Sequence, residues 1–85
     1  MIQSTSLKAF EEIKNNLSPR RKQVYETLKK LGQANDRMLS KYSGIPINVV
    51  TPRRGELINL KLVGVSFVGK DLDSGKDSIY WKIVR

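Results

Sequence analysis

Gly44, Ile45 and Pro46 separate two short apolar patterns of helical period, and this junction leaves the chain few arrangements. Upstream, Asn35 is placed to cap a helix that carries Met38 and Leu39 and ends near Tyr42 or Ser43. Gly44 stands where a helix hands over to a left-handed residue. Ile45 is an apolar plug for the turn, and Pro46 restricts the chain just before a new helix. Downstream, Val50, Leu57 and Leu60 follow at intervals of seven and three, one face of a 3.6-residue period. Helix, short glycine turn and helix over residues 34–62 form a helix-turn-helix pattern, whose second helix can lie in a DNA major groove.

Two further helices are expected ahead of this unit. Residues 4–17 place Leu7, Phe10, Ile13 and Leu17 near one face, with Ser4, Thr5 and Ser6 available as caps. This N-terminal amphipathic helix, residues 1–17 with its approach, can pack on the domain or pair with a second copy of the chain. Ser18-Pro19 is a strong helix start. The helix that follows carries Val24, Leu28 and Leu31 at helical spacing, with Tyr25 at the edge of that stripe, and stops at Gly32. Arg20, Arg21 and Lys22 crowd its positive end, where bases are mildly unfavourable. Either they contact phosphate or they are exposed bases of little consequence. A brief strand at Gln33-Ala34 fits the architecture.

The second helix of the turn unit, taken as residues 47–60, holds two awkward residues. Pro52 breaks a helix interior, so it is expected in the first turn with Asn48 as N-cap; a start near Pro46 with a kink at Pro52 is the alternative. Gly55 in mid-helix costs up to ~1 kcal/mol relative to alanine. It allows close approach of a partner, or it fits against a neighbouring helix. At 100° per residue, Asn48, Thr51, Pro52, Gly55 and Asn59 point away from the core, and Arg53 and Arg54 fall on the flanks of the buried stripe. Arg54 must snorkel past that stripe. Arginine at a guanine edge and asparagine at adenine are frequent base contacts, and capping competes with such a role for Asn48.

From Leu62 the period changes to two. Val63, Val65 and Phe67 share one face of a first strand, with Gly64 and Ser66 on the other. Ile79, Trp81 and Ile83 share one face of a second, with Tyr80, Lys82 and Val84 opposite. The polar stretch between them makes a β-hairpin with a long loop. The whole reads as an α+β fold: a winged helix-turn-helix over residues 18–85, three helices plus a hairpin wing, with an extra N-terminal helix.

Charge narrows the function. Among 85 residues, 16 Lys and Arg face 8 Asp and Glu, giving +8. Residues 18–61 hold ten bases and three acids, while residues 1–17 balance and residues 62–85 carry four against three. Concentrated positive charge is expected of a phosphate-binding surface. The chain has no cysteine and no histidine, which excludes structural zinc and leaves no usual general base near neutral pH. No phosphate-cradling glycine loop and no spaced pair of carboxylates is present, so neither an enzyme nor a cofactor is expected. Asp71, Asp73 and Asp77 imitate the start of a calcium loop without its downstream glutamate, and read as a hydrated hairpin tip. The polar N-terminus and lack of a long apolar run suggest an intracellular, cytoplasmic protein with no membrane partner.

Residues 17–63, LSPRRKQVYETLKKLGQANDRMLSKYSGIPINVVTPRRGELINLKLV, with a hairpin ending YWKIV, resemble small winged-helix proteins of phages and bacterial prophages. The match is most specific over GIPINVVTPRRGEL, at Pro46, Asn48, Thr51, Pro52 and Arg53. It implies a DNA-binding fold without naming an operator. The chain departs from the family at Lys61, where glycine commonly closes the recognition helix, and at Arg54, a usually apolar position. A left-handed Lys61 would carry modest strain. A weaker likeness, to Z-DNA-binding winged domains, rests on Asn48 and Trp81. Where those domains carry a tyrosine this chain has Pro52, which removes a central contact.

The leading expectation is a sequence-specific binder of double-stranded DNA that regulates phage or prophage transcription. Asn48, Thr51, Arg53 and Arg54 would lie at the major groove, and Arg37, Lys41, Lys70 and Lys76 would contact phosphates. Asp71, Asp73 and Asp77 weaken the grip of the wing tip. The alternative is a winged-helix protein-interaction adaptor, with Phe67, Tyr80, Trp81 and the neutral first helix as its surface. Against that, Phe67 and Trp81 can complete the core beneath the wing.

Overall fold

A computed structural model describes the backbone of residues 2–85 and the side chains of residues 8–85. The order is α1 (Ile2–Asn15), α2 (Pro19–Leu31), β1 (Gln33–Ala34), α3 (Asp36–Ser43), α4 (Ile47–Asn59), β2 (Val63–Lys70) and β3 (Asp77–Ile83). The three strands form one antiparallel sheet in the order β1-β3-β2. Three helices packed on a short sheet with a hairpin make a winged helix-turn-helix, and α1 is the added helix. The roles expected of Ser4, Thr5, Ser6 and Leu7 fall on side chains outside the described residues, although α1 already runs through these positions. No helix among the described residues is long and apolar enough to cross a membrane.

Local chemistry builds the turn. Asn35 is buried, and its Oδ1 accepts from the Met38 N–H at 2.8 Å, which satisfies one orphan donor of α3. Gly44 ends the helix with φ 76°, left-handed, and its N–H donates to the Ser40 carbonyl. Ile45 is 2% exposed and plugs the corner. The Ser40 hydroxyl donates to the Ile45 carbonyl at 2.6 Å, fixing the direction in which the chain leaves the turn.

The start of α4 corrects the reading with Asn48 as cap and follows the alternative of a start near Pro46. Pro46, not Asn48, occupies the N-cap position, and its carbonyl accepts from Val49 and Val50. Pro52 therefore lies inside the helix, a turn and a half in, where it has no N–H for the Asn48 carbonyl. Burial explains why the helix nevertheless forms: Val50 and Leu57 are both fully buried, one on each side of the proline. Packing of that stripe outweighs the local break.

The far end of α4 is closed by an unusual residue. The Lys61 N–H donates to the Ile58 carbonyl and the Leu62 N–H to the Leu57 carbonyl, the bond pair of a Schellman motif. Lys61 sits at its left-handed position with φ 64°, the only positive φ outside glycine among the described residues. A side chain there costs roughly 1–2 kcal/mol. Lys61→Gly is thus expected to raise stability by about 1 kcal/mol, a gain in Tm of roughly 4–8 °C. An unchanged or lower Tm would show that the lysine is not strained.

The core joins Val24, Tyr25 and Leu28 of α2, Ala34, Leu39 of α3, Ile45, Val50 and Leu57 of α4, Leu62, Val63 and Trp81. Phe10, Ile13 and Leu17 pack against it from α1 and the segment after it. The Tyr25 hydroxyl donates to the Arg85 carbonyl at 2.7 Å, tying the last residue to α2.

The hairpin departs from simple alternation. Val65 pairs with Trp81 but Phe67 pairs with Tyr80, so Ser66 is an extra residue in a β-bulge. The bulge moves Phe67 to the face opposite Val65. There it stacks on Tyr80, with centroids 4.4 Å apart and rings within 5° of parallel, and it remains 42% exposed. Phe67 is therefore no part of the core beneath the wing. Trp81 is, at 8% exposure. The expected long loop also shortens to residues 71–76, because the ladder extends to Lys70 and Asp77. Asp71 closes it at both ends: its N–H donates to the Lys76 carbonyl and its carbonyl accepts from Gly75.

Candidate nucleic-acid interface

The outward face of α4 consists of Asn48, Thr51, Pro52, Gly55 and Asn59, and none of these carries a charge. Asn48 is exposed, and its amide makes no hydrogen bond among the described residues. With Pro46 at the cap position, the capping duty expected of Asn48 does not exist. Nothing lies within 4 Å of where a side chain would begin at Gly55, so this glycine does not accommodate a neighbouring helix. Thr51 is exposed but not idle: its hydroxyl donates to Asp36 Oδ2 at 3.0 Å.

The two arginines on the flanks of that face differ sharply. Arg54 forms a forked bond with Asp36 of α3, Nε to Oδ1 at 3.0 Å and Nη2 to Oδ2 at 2.6 Å. Both side chains are only 18% exposed. Its guanidinium also lies 4.3 Å from the centre of the Trp81 ring, so Arg54 joins α3, α4 and the wing. It does not snorkel to the surface as expected; it is held by a carboxylate and stands over an indole. Arg53 is looser. Its Nη2 donates to Glu56 Oε2 at 2.9 Å, while its Nε, 2.9 Å from Oε1, points wide of a hydrogen bond. Glu56 has a second partner in Arg21 of α2, whose Nε donates to Oε1 at 2.7 Å. The Arg21 hydrogen bond, with both guanidinium charges nearby, holds the Glu56 carboxyl below its ordinary range despite some desolvation.

The expected phosphate contacts fall on α3 and the wing. Arg37 is half exposed, and its Nε donates to Asp71 Oδ2 at 2.6 Å, linking the start of α3 to the wing loop. Asp71 is almost buried. A hydrogen bond from the Asp73 N–H, then the Arg37 bond and charge, hold its carboxyl below the ordinary value. Lys41 is exposed, with Nζ 5.7 Å from the Tyr42 ring centre. Lys70 pairs with Asp77 at 3.1 Å across the hairpin, both largely exposed, a contact worth little in water. Lys76 is exposed at the wing tip and makes no ion pair among the described residues.

Three carboxylates thus engage Arg21, Arg37, Arg53 and Arg54; sequence reasoning gave Asp36 and Glu56 no role, and read Asp71 as part of a hydrated hairpin tip, whereas it is buried. Glu56 was within reach of such reasoning, three residues after Arg53 on one helix face. Asp36 and Asp71 were not, because their partners are distant in sequence. Among the described residues no group of carboxylates is arranged to hold a metal ion.

The helix-turn-helix with its bulged wing has a solved counterpart. A protein described as a possible transcriptional regulator from Methanosarcina mazei Go1 superposes with a TM-score of 0.66 over 93% of this chain, at 17% identity. The likeness is one of fold. This chain spans 66% of the length of that protein. No family model matches the sequence, and comparison with curated proteins gives no match.

Proposed function

We propose that the chain is a duplex DNA-binding regulator of the phage or prophage type, with residues 18–85 as its binding unit and α4 entering the major groove. One observation carries the reading: α4 turns an exposed polar face outward, and its most favourable base reader, Asn48, has no structural duty. The placement of bases around that helix supports it. Arg37, Lys41, Lys70 and Lys76 are assigned to phosphates, where positive charge supplies affinity without sequence preference. Arg53 joins them on the flank of α4, because Glu56 keeps Arg21 as a partner when Arg53 turns away. Thr51 and Asn48 face the groove. Arg54 is assigned a positioning role, holding α3, α4 and the wing at a fixed angle. The fold counterpart, a possible transcriptional regulator, agrees with such an occupation.

Titration of the protein against a random-sequence duplex at several salt concentrations tests this. Four phosphate contacts predict a log–log slope of about −3.6, and a fifth from Arg53 about −4.5. No binding at low salt would defeat the reading. It would favour a protein-interaction adaptor instead, which a different observation supports: Val65, Val68, Ile79 and Leu72 are exposed on the wing, Leu72 at 91%. Trp81 and Tyr80 are buried and would not take part in that surface.

A further inference from the structure

Resting on the major-groove reading of α4, we infer that its outward face selects A·T base pairs, with Asn48 reading an adenine edge and Thr51 meeting a thymine methyl. Arginine forking onto guanine O6 and N7 is the commonest specific reader of G·C pairs. Both arginines of α4 lie off the outward face, at its flanks. Arg54 is held by two hydrogen bonds to Asp36 and by the Trp81 ring, with both members of the ion pair 18% exposed. Withdrawing it to a base would leave the Asp36 carboxylate largely desolvated with only the Thr51 hydroxyl as a partner and no compensating charge, which is costly. Arg53, on the other flank, is engaged by Glu56 at 2.9 Å.

What remains suits A·T pairs. The free amide of Asn48 supplies a donor and an acceptor side by side, the complement of adenine N7 and N6. It stands in the first turn of α4, and the first residues of a recognition helix are those that reach base edges. Thr51 lies one turn on. Its hydroxyl is spent on Asp36, so it has a methyl group left to offer a groove, and only thymine presents a methyl there. Pro52 adds an apolar ring without a donor, and Gly55 leaves open space in which the duplex can come close. No outward residue is a carboxylate, the usual partner of the cytosine amine.

The test is selection of preferred duplexes from a random pool, followed by titration of the selected site with adenine replaced by 7-deazaadenine. That change removes the major-groove acceptor and leaves the minor groove intact. The expected motif has A·T pairs at its most constrained positions, and its affinity falls on 7-deaza substitution. Asn48→Ala should weaken binding to the selected site by about 5- to 150-fold and abolish the 7-deaza effect. Thr51→Ser keeps the hydroxyl for Asp36, removes the methyl, and should match the loss wild type shows when deoxyuridine replaces thymidine. A G·C-rich motif, an A·T preference indifferent to 7-deazaadenine, or an Asn48→Ala variant that binds the selected site as wild type would each overturn the inference while leaving salt-dependent duplex binding intact. Failure to bind any duplex at low salt would overturn it together with the function proposed above.

Discussion

Arg54→Ala is expected to destabilise the protein by about 3 kcal/mol, a fall in Tm of roughly 12–24 °C. Removing one member of a buried ion pair costs about 3–5 kcal/mol, because the survivor keeps its desolvation penalty without its partner. Here the survivor is Asp36, still 18% exposed, which places the effect at the lower end. Loss of the guanidinium over Trp81 is contained in that figure, at about 1 kcal/mol. A domain of this length has roughly 4–13 kcal/mol in all, so a single arginine secures a large share. Urea unfolding of Arg54→Ala, Asp36→Ala and the double variant measures this directly. The double variant should recover part of the loss, since no orphan charge remains. If Arg54→Ala keeps its Tm and instead loses duplex affinity, Arg54 reads DNA and its positioning role is wrong.

The same residue shows where sequence stops being informative. Asn35, Gly44, Ile45 and Pro46 announce the turn because each acts within five residues of itself: a cap, a left-handed glycine, a plug and a proline. Lys61 could be singled out for a similar reason, since helix closure is local and its handedness is a property of one position. Arg54 could be placed on the buried flank of α4 by counting, but not matched to Asp36, 18 residues upstream, or to Trp81 in a different layer. The counting described the angle and left out the contact.

Two further misreadings have the same origin. The shift at Ser66 depends on which residues of β3 stand opposite, and an alternating pattern read along one strand carries no register. Val65 and Phe67 look equivalent in sequence and lie on opposite faces. At Pro52 the local rule was sound, and tertiary packing overruled it: burial of Val50 and Leu57 draws the chain into one helix across the proline. That outcome matters for function, because moving the helix start back to Ile47 relieves Asn48 of capping. The candidate site is therefore clearer than its residue types suggested, but its charges are less free. Arg37, Arg53 and Arg54 all meet carboxylates, so the count of bases overstates the bare positive charge near α4.

Leu57→Ala should cost more than any substitution on the outward face, about 3–5 kcal/mol. Leu57 is fully buried and serves two structures at once. It belongs to the stripe that presses α4 onto α2 and α3, and its carbonyl receives the Leu62 N–H that closes the helix. Leu62 is fully buried too, forming the apolar contact that accompanies a Schellman closure. Truncation removes packing from the core and loosens the joint between α4 and β2, where a strained Lys61 already weakens the turn. Denaturant unfolding should show a lower midpoint with an unchanged slope, the mark of lost stability without a change in the surface exposed. Duplex affinity should fall only with the folded fraction, and recover in part on stabilisation by Lys61→Gly in the same chain. A loss below about 1.5 kcal/mol would mean that this stripe does not seat α4, and that the orientation of Asn48 and Thr51 has another source.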